Sequence, residues 1–170
     1  TVTNIAVDPG PAERYGVRSV PWLKLGRFEF SGLIDAQELR QWVELSDDDS
    51  AYATFLREQL KQGNLADIIH LVERQPEVLG DLLELLDGDT TQLPLTVRIG
   101  ISAVVESQQD NRELLQSLVP EMGRLARSGD PATRADACHF LALSGGPQAS
   151  EALERCLADD VEMVREIAAE

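Results

Sequence analysis

From Ala51 onward, helix-breaking residues recur at nearly every dozen positions: Gly63-Asn64, Gln75-Pro76, Asp87-Gly88, Gln108 to Asp110, Gly129-Asp130-Pro131, Gly145-Gly146-Pro147 and Asp159-Asp160. Between them apolar residues fall at helical spacing, as in Phe55, Leu56, Leu60, in Ile68, Ile69, Leu71, Val72, and in Leu114, Leu115, Leu118, Val119, Met122, Leu125. One short hairpin of helices cannot bury its apolar face alone, and links this short make consecutive helices antiparallel neighbours. The pattern therefore predicts an all-α stack of hairpins over residues 51–170.

A repeat shows when Thr96-Val97-Arg98-Ile99, Ala132-Thr133-Arg134-Ala135 and Met163-Val164-Arg165-Glu166 are aligned on their arginines, which lie 36 and 31 residues apart. The run from Asp130-Pro131 through Arg134 to Ala137, followed by Gly146-Pro147 and the Ala149 to Leu157 helix, resembles a HEAT repeat. Asp159 to Arg165 opens another without the proline. The resemblance implies three to four hairpins that present a surface to another protein. It also implies that each arginine pairs with an acid of the turn preceding it, for which Asp130 and Asp160 are placed. Residues 51–88 fit the repeat poorly and are read as adaptor helices.

Charge narrows the partners. The net charge is −15, and residues 1–45 carry five Lys/Arg against six Asp/Glu, so nearly all of the excess lies in the helical part. A surface this poor in cations cannot neutralise phosphates by counterion release, which excludes nucleic acid and anionic membrane as expected partners and leaves proteins. No run of about eighteen apolar residues is present, and Thr1 to Pro9 has neither the basic nor the apolar part of a signal peptide. The expectation is a cytoplasmic protein.

Before the acidic stretch Ser46-Asp47-Asp48-Asp49-Ser50 the pattern differs. Ile5 and Val7 lie in a short β-favouring run, Val2 to Val7, that stops at Asp8-Pro9-Gly10-Pro11. Ala12 to Tyr15 allow one helical turn closed by Gly16. Pro21 to Leu25 and Arg27 to Phe30 alternate about Gly26 as a half-buried hairpin, and Asp35 caps a helix whose apolar face is Leu39, Trp42 and Val43. Both Trp22 and Trp42 read as packing residues. The expected fold class is α+β: edge strand, β-hairpin and helix in residues 1–45, an acidic linker at 46–50, and the helical array at 51–170.

This order of elements, with Val7-Asp8, Tyr15-Gly16-Val17-Arg18-Ser19-Val20-Pro21, Gly26, Phe28, Gly32 and Glu38-Leu39 to Trp42-Val43, resembles the C-terminal part of the thioredoxin family, nearest to glutaredoxin-like protein disulfide oxidoreductases. The resemblance implies a cis Val20–Pro21 bond, with Val20 and Pro21 as the substrate-binding residues that hold an extended protein client. Trp22 departs from the small or β-branched residue usual after that proline. The family's Cys-x-x-Cys has no counterpart here, nor does the central strand that carries it. The sheet is thus expected to be completed by upstream residues or by another copy in a homo-oligomer, and the dithiol to lie upstream of Thr1. The parent is then a thiol-disulfide oxidoreductase or redox partner. Alternatively the remnant is redox-inert and the chain a non-catalytic scaffold.

Nothing else in the chain suggests chemistry. Cys138 and Cys156 sit in helical patterns and read as core packing. His70 and His139 are not spaced for a metal site. Cys138 and His139, adjacent on a helix, diverge by about 100° and cannot act as a nucleophile and base pair. Asp47-Asp48-Asp49 lacks the ligand spacing of a calcium loop. No catalytic residue, metal or cofactor is expected in this chain.

Overall fold

The structure is a computed structural model describing residues 2–46, 49–87 and 93–169. By contact the chain divides into two units, Thr1–Phe55 and Leu56–Glu170. The fold is mostly helical, with one small antiparallel hairpin.

In the first unit, helix α1 (Gly10–Arg14) precedes strands β1 (Trp22–Leu25) and β2 (Phe28–Ser31), and helix α2 (Ala36–Glu44) follows them. The strands pair from Trp22 with Ser31 to Leu25 with Phe28, so Gly26 and Arg27 alone make the connection, and Gly26 takes the left-handed φ of +58° that such a tight turn requires. Alternation buries Phe28 and Phe30 on one face. Against them α2 sets Trp42, and α3 (Asp49–Lys61) adds Tyr52 and Phe55. Phe28 lies 5.4 Å from Trp42 and 5.2 Å from Phe55, and Trp42 meets Phe55 edge-on at 5.5 Å. Asp35 caps α2 as expected, accepting from the amides of Gln37 and Glu38 at 2.7 and 2.9 Å. Val43, placed on the apolar face from sequence, is half exposed.

The expected edge strand is absent. Residues 2–7 form a turn about Asn4, whose Oδ1 accepts from the Ala6 amide and whose carbonyl accepts from the amides of Val7 and Asp8, all at 3.0 Å. A β-favouring run becomes a strand only beside a ladder partner, and the one sheet among the described residues is the two-stranded β1–β2. Val2 and Val7 are left 101% and 81% exposed. The acidic stretch is also more helical than expected: α3 begins at Asp49, while Asp47 and Asp48 lie outside the described residues, as does Gly88.

The rest of α3 and helices α4 (Leu65–Arg74), α5 (Val78–Glu84), α6 (Leu95–Ser107), α7 (Arg112–Ser117), α8 (Val119–Leu125), α9 (Pro131–Ser144), α10 (Pro147–Cys156) and α11 (Glu162–Ala168) make the second unit. The single helix expected through Leu114 to Leu125 is broken at Leu118. Pro120 has no amide to give the Gln116 carbonyl and its ring crowds that turn, so α8 restarts with the proline near its first position. Helix α9 is central, touching α6, α7, α8, α10 and α11. Gly100 lets α6 approach α3 closely, since a Cβ there would stand 3.0 Å from Leu60 Cδ2.

Candidate protein-interaction surfaces

Two of the three aligned arginines bind successive helical hairpins together, and the third holds the turn that opens its own helix. Arg98 on α6 donates from Nε to Asp136 Oδ2 at 2.6 Å and from Nη2 to Asp130 Oδ2 and Thr133 Oγ1 at 3.1 and 2.8 Å. Arg134 on α9 grips Asp159 with a two-pronged fork at 2.8 and 2.9 Å, reaches Asp160 at 2.9 Å, and donates to the Ser128 carbonyl at 3.0 Å. Arg165 donates to the Asp159 carbonyl at 2.7 Å.

This corrects the expected pairing. Arg98 takes its carboxylates from Asp130 of the turn that follows its hairpin and from Asp136 within α9. Arg134 takes its carboxylates from the following turn at Asp159 and Asp160, and both Arg134 and Arg165 donate to carbonyls of the turn before. The planar fork explains the choice, because a bidentate grip needs the two lone pairs of a facing carboxylate. Asp130 meanwhile also caps α9 through the amides of Ala132 and Thr133.

Electrostatics follow the geometry. Burial works against the Arg98 charge, but its hydrogen bonds to Asp136 and Asp130 raise the pKa further above the ordinary value. The Arg134 hydrogen bond holds the Asp159 carboxyl well below the usual carboxylate range. Burial pushes the Asp136 carboxyl up, only partly offset by Arg98. These groups are engaged with one another and hold the array in register.

The outer side of α6 carries a different signal. Leu95 and Ile99, one turn apart, are 69% and 58% exposed. Further along, Glu106 on α6 meets His139 Nε2 on α9 at 3.1 Å. An exposed apolar pair on a helix that also carries an acidic residue suits a protein partner better than a phosphate backbone.

In the first unit the Val20–Pro21 bond is cis, as the resemblance implied, and both residues are exposed. Beside them lies an open cavity of about 600 Å³ lined by Ile5, Tyr15, Val17, Val20 and Trp22, with Arg14 and Lys24 as its charged residues. Trp22 is half-buried at this cavity rather than inside the core, stacked on Tyr15 at 5.5 Å. The register shows which backbone groups face outward. Gly32 donates to the Pro21 carbonyl, so Leu23 and Leu25 share that bonded phase and turn their amides and carbonyls toward β2. Those of Trp22 and Lys24 point to the other edge, where no described strand pairs.

Cys138 and Cys156 are buried free thiols, in keeping with core packing. His70 contacts Glu73 at 2.9 Å. Among the described residues no three metal-binding side chains gather at one point, and no helix is long and apolar enough to cross a membrane. The sequence missed Asp136, Thr133 and Asp159 as partners of the arginines. Their only signal was a polar residue at, or close after, each Asp-Pro or Asp-Asp turn.

Comparison with known families matches residues 97–170 to the model for HEAT repeats. Residues 97–170 are HEAT repeats. The match begins at the first aligned arginine segment and leaves out the poorly fitting stretch 51–88. No curated protein and no solved structure matches the chain, and no comparison supports a thioredoxin-like domain in residues 1–45.

Proposed function

We propose that this protein is a docking scaffold in which the HEAT repeats bind a protein partner through the outer side of α6 and its border with α9. The HEAT match at residues 97–170 carries this reading, because hairpin arrays act by presenting surface. The exposed Leu95 and Ile99, with Glu106 about two turns farther along α6, indicate where: an apolar anchor site with a carboxylate on the same helix, suited to a partner with apolar residues and a nearby lysine or arginine. A photo-crosslinking residue placed at Ile99, tested in extract from the source cell, is expected to capture a discrete protein that excess unmodified chain competes away, whereas the same probe at Glu151 captures none. Equal capture at both positions contradicts the reading.

For residues 1–45 the reading is the C-terminal part of a thioredoxin-like domain, joined through residues 46–50 to the array, with Val20 and Pro21 contacting an extended client. The unpaired edge of β1 and the cavity beside it favour this reading. Thiol-disulfide exchange by the parent protein then requires a Cys-x-x-Cys outside this chain, since Cys138 and Cys156 both belong to the array. Insulin reduction by the longest form of the protein, lost in Pro21→Ala, is the expected result. An upstream Cys-x-x-Cys without activity leaves the scaffold reading alone standing.

A further inference from the structure

The two cysteines lie eighteen positions apart in sequence yet meet in space. Cys138 projects from α9 and Cys156 from the last turn of α10, and with Ala135 and Val164 they form one small buried cluster. Burial, and the neighbouring Cys156 thiol after it, push the pKa of the Cys138 thiol up. Two aliphatic side chains would fill such a site equally well, so packing alone does not account for two thiols in one small cluster.

Their accessibility is unequal. Cys138 is 0% exposed, whereas Cys156, 5% exposed, lies in the wall of a cavity of about 210 Å³ that opens to solvent. The cavity wall is cut low by Gly123, Ala126 and Ala152, which lets a reagent approach the sulfur. Arg127 and Arg155 stand at the same cavity, Arg155 also pairing with Glu151, together with Asp159, whose carboxylate is already gripped by Arg134. With Asp159 and Arg155 engaged, Arg127 is the cationic group at the opening without an acidic partner among the described residues, which suits a small molecule that carries a carboxylate. On the other side, Cys156 Sγ donates to the Ala152 carbonyl at 3.4 Å, a bond it surrenders on losing its proton.

We propose that Cys138 and Cys156 form a reversible dithiol site, oxidised by a low-molecular-weight, carboxylate-bearing disulfide that enters through this cavity. The Cys156 thiolate attacks one sulfur of the incoming disulfide, forming a mixed disulfide and expelling one thiolate. Cys138 then loses its proton and attacks the Cys156 sulfur, forming the Cys138–Cys156 bond and expelling the second thiolate, and both leaving groups take up a proton. In sum, two protein thiols are oxidised and one small disulfide is reduced to two thiols. The order is set by access: Cys156 receives the reagent and Cys138 resolves it. Burial raises the Cys138 pKa, which makes the second step the slow one. The bond ties α9 to α10 across the centre of the HEAT array. This site is independent of the thioredoxin-like reading of residues 1–45.

The experiment treats the folded full chain with oxidised glutathione and follows intact mass without denaturant. The wild type is expected to pass through a glutathione adduct and end about 2 Da lighter than the reduced protein, the loss of two hydrogens per disulfide, and dithiothreitol reverses it. Cys138→Ala is expected to stop at the adduct, mapped to Cys156, and Cys156→Ala to remain unmodified, with circular dichroism showing each variant folded. Reaction only in denaturant, or a wild-type adduct on Cys156 that never resolves, overturns the proposal. Because the wild-type result decides alone, a variant that fails to fold leaves the test intact.

Discussion

Asp130 does two things with one carboxylate. It caps α9 through the amides of Ala132 and Thr133 and accepts a hydrogen bond from Arg98 on the preceding hairpin. Removing it strips a cap and leaves a half-buried guanidinium short of one partner. Asp130→Ala is therefore expected to cost about 1–3 kcal/mol in urea unfolding followed by circular dichroism, and Asp130→Asn, whose amide oxygen still caps, distinctly less. Asp159 gives a pH signature instead. Its folded pKa is depressed, so its contribution to stability is fully present above the unfolded value of about 4 and is lost as pH falls through the folded value. Asp136 is shifted the other way, so its own contribution declines as pH rises from the unfolded toward the raised folded value. Asp159→Asn is thus expected to be less stable than wild type at pH 7, with the gap closing below pH 4 in chemical denaturation at each pH. A constant gap across that range contradicts the assigned pair. The sequence made Asp130 and Arg134 legible through their repeat position. It could not show that Arg98 and Arg134 reach forward, because that depends on which helix lies alongside.

Helix α3 shows why the sequence marked its elements better than their limits. The acidic run before it reads as a break, yet the helix begins at Asp49 and its first turns give Tyr52 and Phe55 to the rings around Phe28. Those aromatic residues belong by packing to the hairpin, although their periodicity belongs to the helical array. Phe55→Ala is expected to cost about 3–5 kcal/mol, read as an earlier loss of tryptophan fluorescence change on denaturation, since Trp42 packs edge-on against that ring. The hairpin and α2 were legible because alternation, Gly26 and the Asp35 cap all act locally. The strand predicted at Val2 to Val7 failed because strand formation is not local: without a neighbour, the Asn4 side chain and carbonyl take the amides first. The break at Leu118 was legible in principle from Pro120, but the apolar spacing on either side of it masked the stop.

The excess of negative charge in the HEAT-bearing part sets what the molecule can meet. With seven arginines and no lysine in residues 97–170, and Arg98 and Arg134 committed to neighbouring carboxylates, little positive charge is left to meet a phosphate backbone. No shift of a labelled DNA duplex is expected on titration even at low salt, where such binding is strongest. A salt-sensitive complex contradicts this. Charge and repeat were both plain in the sequence, whereas the apolar pair on α6 was not, because Leu95 and Ile99 have the spacing of core residues and only the packed array shows them outside. The decisive measurement is the affinity of the partner captured at Ile99 for the double variant Leu95→Glu/Ile99→Glu. If the HEAT repeats dock through this face, affinity falls at least about tenfold, roughly 1.4 kcal/mol, with the helical circular dichroism unchanged. Unchanged affinity in a folded variant shows that the partner binds elsewhere and contradicts the assignment.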